Sequence, residues 1–294
     1  MVVDMDGRAV SPAAGTVLNA LATGTGSAFA IDLETTATVD LTNDGEIEAS
    51  IADQPDADTT LIEYCAEMTL ERYAEDAGLD AETVGARVRT ESEIPMAAGL
   101  KSSSAAANAT VIATLDALEI DDAVERVDAC RLGVQAAREA GVTATGAFDD
   151  ASASMLGGVT ITDNTTDELL AHESVDWHAL VYTPPEQAFS ADADISDCER
   201  IAPMADLVAE LALEGRYGEA MTVNGFAFCG ALGFSTDPML DVLPAVEGVS
   251  LSGTGSSFVA IGDRAQLEGV RERWDRRDGS TRLLRTRTDG TRTQ

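Results

Sequence analysis

The chain has 294 residues, is 45% hydrophobic, and carries 52 acidic against 19 basic side chains, for a formal net charge of -33. That length can bury one large core or two moderate ones, and that charge argues against nucleic acid or an anionic membrane as partner, because both are bound through basic groups. Patterned blocks of Ala, Val, Leu and Ile argue against disorder. Acid spread along the whole chain instead reads as adaptation to molar salt, where a Debye length of about 3 Å screens self-repulsion.

In chain order, Val10 to Val39 reads as strand, glycine-rich connection, strand. "TATVDL" and "GEIEASI" then predict a hairpin across Asn43-Asp44-Gly45, a strong turn signal. Thr59 to Ala77 has helical spacing, with Leu61, Cys65, Met68 and Tyr73 near one face, and Gly78 stops it. Val84, Ala86 and Val88 alternate in a further strand that Pro95 ends. A helix is expected from Ser103 to about Leu118, and another from a cap at Asp121 or Asp122 to about Ala140. "HALVYTPP" reads as a buried strand, followed by helices near 202–214 and 217–232. "GVSLSGTGSSFVAIGD" is strand, glycine turn, strand, before a short helix over 264–274 and a last strand near Leu283. Strands dominate the first third, and the rest mixes both types without strict alternation, which is α+β in character. A soft domain boundary falls between Gly157 and Asp163, dividing the chain into 1–158 and 159–294.

Four separated cysteines (Cys65, Cys130, Cys198, Cys229) form no zinc or redox motif and fit a reducing compartment. His172 and His178, six apart, do not share a helical face as paired metal ligands do. The N-terminus has no apolar core of signal-peptide length, and no run approaches the roughly 20 apolar residues of a membrane span. The expectation is a soluble, cytoplasmic protein; oligomeric state is not legible.

One feature carries chemistry. Among 19 basic residues a single lysine occurs, Lys101, inside "IPMAAGLKSSSAAANAT". A glycine-rich turn opening a helix presents free backbone N–H groups and the positive end of the helix dipole to an anion. Gly99 permits close approach, Ser102, Ser103 and Ser104 add hydroxyls, and Lys101 adds charge: a cradle for a polyphosphate. It is not a Walker A loop, which would need glycines where Pro95 and Leu100 stand. The competing reading is an alanine-rich core helix with serine caps. In a chain otherwise stripped of lysine, retaining a compact ammonium here favours function.

These residues resemble the ATP-binding motif of the GHMP kinases, usually Pro-x-x-x-Gly-Leu-Gly-Ser-Ser-Ala. Pro95, Gly99, Leu100, Ser102 and Ser103 match, and Lys101 replaces the third-position glycine. "GLKSSSA" is similar to the archaeal shikimate kinase branch, as is "AAGTVLNALATGTGSAFAIDL" near the N-terminus. "SLSGTGSSFVAIGD" resembles the C-terminal glycine-rich motif, with Gly253 and Gly255 in its turn. The resemblance implies a two-domain α+β fold with the active site in the interdomain cleft, and phosphoryl transfer from ATP with Mg2+ to a small-molecule hydroxyl.

It also implies site residues. Asp150 stands where family members carry a basic aspartate, seven residues before a Gly-Gly pair, with Asp149 as its neighbour and rival. Glu139, eleven residues earlier, and Ser103 match the magnesium ligands. The alternative for Asp149-Asp150 is an acidic helix cap facing solvent. Mevalonate kinases carry a lysine in the first motif; Thr16 and Asn19 occupy that region here. Shikimate is the expected acceptor, with an arginine fork expected for its carboxylate. Another small-molecule GHMP kinase, homoserine kinase being nearest, or a nucleotide-binding regulator without turnover are the alternatives. The last 31 residues hold nine arginines against five acids, read as structural pairing with acidic neighbours.

Overall fold

The computed structural model describes residues 5–143, 146–185 and 194–294; the first four residues of the N-terminal stretch lie outside it. Two long strands, β1 (Asp6–Leu18) and β2 (Thr25–Thr42), pair antiparallel over almost their whole length. Alternation along β2 is clean at its far end, where Leu33, Ala37, Val39 and Leu41 are buried between half-exposed neighbours. Around them forms a seven-stranded sheet in which β11 (Arg292–Thr293), β1, β2, β4 (Gly85–Ser92) and β3 (Ile47–Ile51) follow one another, with β5 (Val159–Asp163) and β6 (Glu168–Glu173) continuing from the other end of β2.

The predicted hairpin is not formed. The turn itself is present, with Gly45 at φ +72° and Asp44 accepting from the Glu46 N–H. The strand after it, β3 (Ile47–Ile51), does not pair with β2, because β4 (Gly85–Ser92) lies between them, antiparallel to β2 and parallel to β3. Burial explains the order. Ala86 and Val88 of β4 sit in the core beside Val39 and Leu41, whereas β3 exposes Glu48 and Ser50 and suits an edge.

Four helices cover this sheet: α1 (Thr60–Tyr73), α2 (Ser102–Ala117), α3 (Arg126–Glu139) and α4 (Phe148–Leu156). Helix α3 begins later than expected: Asp121–Ala123 form a separate 3-10 turn, and the chain is extended again at Val124 and Glu125. Helix α2 is buried nearly all round, as its lack of a polar face requires. Its alanines let β1 approach so closely that a Cβ on Gly7 would lie 2.1 Å from the Ala113 carbonyl oxygen.

The second layer is a four-stranded antiparallel sheet, ordered β10-β7-β9-β8: β7 (His178–Thr183), β8 (Gly248–Leu251), β9 (Phe258–Gly262) and β10 (Ser280–Arg285). Both faces of β7 are covered, which is why its sequence runs apolar without alternation. Ala179 and Val181 pack toward α5 (Ala202–Leu213) and α6 (Tyr217–Leu232). Leu180 and Tyr182 join Val270 and Trp274 of α8 (Arg264–Trp274), beside α7 (Asp237–Val242). The arginine-rich end ties the layers together: β10 lies in the second sheet, and β11 (Arg292–Thr293) returns to pair with β1. There Arg287 and Arg292 both bind Glu34 and Asp289, and Arg285 binds Asp176. Residues 159–173 and 292–293 thus share a sheet with β1 and β2. No helix among the described residues is long and apolar enough to cross a membrane.

Candidate active site

A cavity of about 410 Å³ opens where the β8–β9 connection of the second sheet meets α2, α3 and α4 of the first. The loop entering α2 forms one wall. Its backbone alternates through the left-handed region: Ala97 at φ +51°, Gly99 at +73°, Lys101 at +66°. Such alternation turns successive N–H groups toward one point, an anion-binding nest. Two of these three residues carry a Cβ, which costs about 1 kcal/mol or more apiece in this conformation. The family motif places glycine where Lys101 stands; this chain sustains strain there to keep an ammonium.

Gly99 is irreplaceable on geometry. A Cβ there would lie 2.1 Å from the Ser252 carbonyl oxygen and 2.7 Å from that of Gly255. The glycine turn of β8–β9 is stacked on it, with Ser252 Oγ donating to the Gly99 carbonyl and the Ser257 N–H donating to Ala98. Thr16 and Asn19 secure the same turn from below: Gly253 N–H donates to Thr16 Oγ1 at 2.8 Å, and Asn19 Nδ2 donates to the Gly253 carbonyl at 2.9 Å. Asn19 is held in turn by Asn224, buried on α6.

Across the cavity stands the first turn of α4. Lys101 Nζ lies 2.7 Å from Asp150 Oδ1, with the two side chains 6% and 16% exposed. That oxygen is buried and has the ammonium as ionic partner but no well-aligned hydrogen bond. Asp149 is more deeply buried. Its carboxylate accepts from Asn164 Nδ2 at 2.7 Å, and Gly26 leaves the room it fills. Burial, and next the charge of Asp150, push the Asp149 carboxyl up to about 7; Lys101 and Asn164 act in the opposite direction.

The structure thus brings together Gly99, Lys101, Ser102, Ser103, Ser104, Asp149, Asp150 and Gly253 on one cavity. It places other expected residues elsewhere. Leu100 is buried in the apolar core, Pro95 is half-buried off the cavity lining, Gly255 packs against Gly99 from behind the wall, and Glu139 is exposed on the far face of α3, off the cavity lining. Among the described residues no group of three or more His, Cys, Asp or Glu could hold a metal by itself. The expected arginine fork is also absent: among the described residues Lys101 is the one basic side chain on the wall. Sequence reading missed Asn164, Asn108 and Asn224. They carry no local signal, because each acts on a residue distant in sequence.

This arrangement, an anion nest at a helix start facing a lysine–aspartate pair, offers the charge and hydrogen-bond donors that phosphoryl transfer requires. Residues 60–158 match the family model "GHMP kinases N terminal domain". Solved structures share the fold: a homoserine kinase from Cytophaga hutchinsonii (TM-score 0.75, 17% identity, covering 98% of this chain and 97% of that one) and the mevalonate kinase of Methanococcus jannaschii (0.74, 18%, 95% and 98%). Closer in sequence are proteins named shikimate kinase. That of Halobacterium salinarum is 59% identical over 98% of this chain and 100% of its own, and that of Methanococcoides burtonii 46% identical over 96% of each. The chain belongs to the GHMP kinases, and within them to the family of these archaeal shikimate kinases.

Proposed function

We propose that this protein is an ATP-dependent shikimate kinase, transferring the γ-phosphoryl group of ATP to a ring hydroxyl to give 3-phosphoshikimate and ADP. Near full-length identity of 59% to a shikimate kinase supports the acceptor. The observation that carries the chemistry is the Lys101–Asp150 pair, 2.7 Å apart and facing the phosphate nest.

In this reading the N–H groups of the 97–104 loop and the dipole of α2 take the polyphosphate charge. Asp150 accepts the proton of the attacking hydroxyl as the new O–P bond forms and the bond to the ADP oxygen breaks. Lys101 fixes the Asp150 carboxylate and offsets charge developing beside it. Positioning and charge neutralisation carry most of the catalysis in such transfers. The lysine that mevalonate kinases supply from their first motif is therefore supplied here from the ATP loop, while Thr16 and Asn19 hold the opposing glycine turn. A magnesium ion would be held by the Ser103 hydroxyl, which lines the cavity, together with the nucleotide phosphates, leaving Asp150 free to act as proton acceptor. When bound it neutralises phosphate charge. Glu139 has no part in this scheme.

ADP release in molar KCl with ATP, magnesium and shikimate, beside parallel reactions with homoserine and mevalonate, tests the reading. Turnover with shikimate alone is expected. Turnover with another acceptor would keep the mechanism and discard the substrate; ATP binding without turnover on any acceptor would favour a regulator.

A further inference from the structure

Helix α4 carries Asp150, yet its N-cap residue, Ala147, has no side-chain oxygen to offer the first turn, and its backbone is left-handed at φ +52°. The first N–H groups of a helix need partners when buried. Here one comes from a residue 15 positions on. Asn164 Oδ1 accepts the Asp149 N–H at 3.0 Å, while Asn164 Nδ2 donates to Asp149 Oδ1 at 2.7 Å. The amide thus clasps Asp149 at backbone and side chain together. A capping amide supplied from another element does more than satisfy a donor: it sets where the helix begins relative to that element.

The clasp is itself held on every side. Thr162 Oγ1 donates to Asn164 Oδ1 at 2.8 Å. The Asn164 N–H donates to the Gly24 carbonyl at 2.8 Å, pinning the turn to the start of β2. Arg138 of α3 donates to the Asn164 carbonyl and grips Asp167, at the end of the same turn, through two bonds of 2.6 and 2.7 Å. Two residues further along α4, Asn108 of α2 donates to the Ala151 carbonyl at 2.9 Å and leaves its own Oδ1 buried without a hydrogen-bond partner. Lys101 is the N-cap residue of that same helix α2. Two asparagines thus fix α4 against the β5–β6 turn on one side and against the helix bearing the lysine on the other.

We propose that Asn164 is a positioning residue for phosphoryl transfer: by capping α4 from the β5–β6 turn it sets the place of Asp150 opposite Lys101. This rests on the assignment of Asp150 as the proton acceptor. The inference concerns kcat and not nucleotide binding, because neither Asn164 nor Asp149 touches the 97–101 nest that would hold the phosphates.

Two variants test it. Asn164→Ala should keep the apparent KM for ATP within about two-fold while lowering kcat about 100-fold, the scale of a displacement near 1 Å. Asn164→Asp keeps an acceptor for the Asp149 N–H but sets a second carboxyl against the Asp149 carboxylate, so the clasp forms only with a proton shared between them. Its activity relative to wild type should therefore fall as pH rises from about 6 to about 9. The charged groups around this contact are Asp149 and Asp150 on α4, Lys101 at the N-cap of α2, Arg131 and Arg138 on α3, Asp163 at the end of β5 and Asp167 in the turn. A wild-type kcat in Asn164→Ala would overturn the proposal, as would equal losses in kcat and ATP affinity. Should that variant fail to fold in molar KCl, Asn164→Asp decides, and an activity ratio flat across pH would overturn the proposal. Wild-type turnover with shikimate and the loss of it in Asp150→Asn are run alongside. If either control fails, the functional reading is at fault and not the clasp.

Discussion

Replacing Lys101 with glycine gives the residue that the family motif itself carries, and the structure assigns this change two opposed effects. Backbone strain at φ +66° is relieved, a gain of about 1 kcal/mol. Glycine's larger unfolded-state entropy returns most of it, roughly 0.5–1 kcal/mol. The side chain decides the outcome. Removing one partner of a buried ion pair costs about 3–5 kcal/mol, and with Asp150 16% exposed the lower end applies. The net expectation is a destabilisation of about 2–3 kcal/mol, which for 294 residues lowers Tm by about 4 °C. Removing the ammonium also withdraws one of the groups that hold the Asp149 carboxyl down, so that carboxyl rises further. Activity should suffer more than stability. Loss of a preorganised charge beside the reacting atoms costs about 3–4 kcal/mol of barrier, or a 10²–10³-fold fall in kcat. The KM for ATP should change only several-fold, because the backbone nest remains. The assay is initial-rate ADP release in molar KCl with ATP and shikimate varied separately, beside thermal melts in the same buffer. A wild-type kcat together with a higher Tm would refute the reasoning: the lysine would then be a strained residue without a task. A large rise in KM with kcat intact would move its task from Asp150 to the phosphates.

Asp150→Asn should lower kcat at least about 100-fold with ATP affinity nearly unchanged, measured by titrating ATP without acceptor; a wild-type rate would transfer the role to Asp149. Asp149 gives a stability signature of unusual sign. Its folded value is raised from the ordinary 3.8 to about 7, so the folded state holds the proton more tightly, and stability present below about pH 4 is lost as pH rises through about 7. Asp149→Asn should flatten that window in denaturant melts at fixed salt; an unchanged slope would refute the assignment. Gly99→Ala should destabilise by more than about 3 kcal/mol or fail to assemble the site, since two carbonyl oxygens occupy the space its Cβ needs; an active variant of normal Tm would show that the glycine turn can retreat. Activity should also rise with KCl into the molar range, as a net charge of -33 implies, and a low-salt optimum would undo that argument.

The sequence by itself determined the parts that depend on local spacing and residue type. The glycine loop, the single lysine and the serine row were legible because a phosphate site at a helix start needs those residues adjacent in the chain, whereas the aspartate pair came only from the resemblance to the family. The strand character of β7 and the helical runs α2, α5 and α6 followed from apolar pattern alone. What tertiary structure decided was everything that joins distant positions. The turn at Asn43-Asp44-Gly45 announced a hairpin, but β4 buries more apolar surface beside β2 than β3 can, and strand order follows burial. Helix α4 showed no periodic signal strong enough to predict, because nine residues fixed by Asn108 and Asn164 need little propensity of their own. Lys101 and Asp150 are 49 positions apart. Their pairing, the displacement of Glu139 from the cavity, and the use of the arginine-rich end to stitch two sheets together are properties of packed elements. No window of sequence contains them, because the free energy that fixes each contact is gained only when the whole core closes.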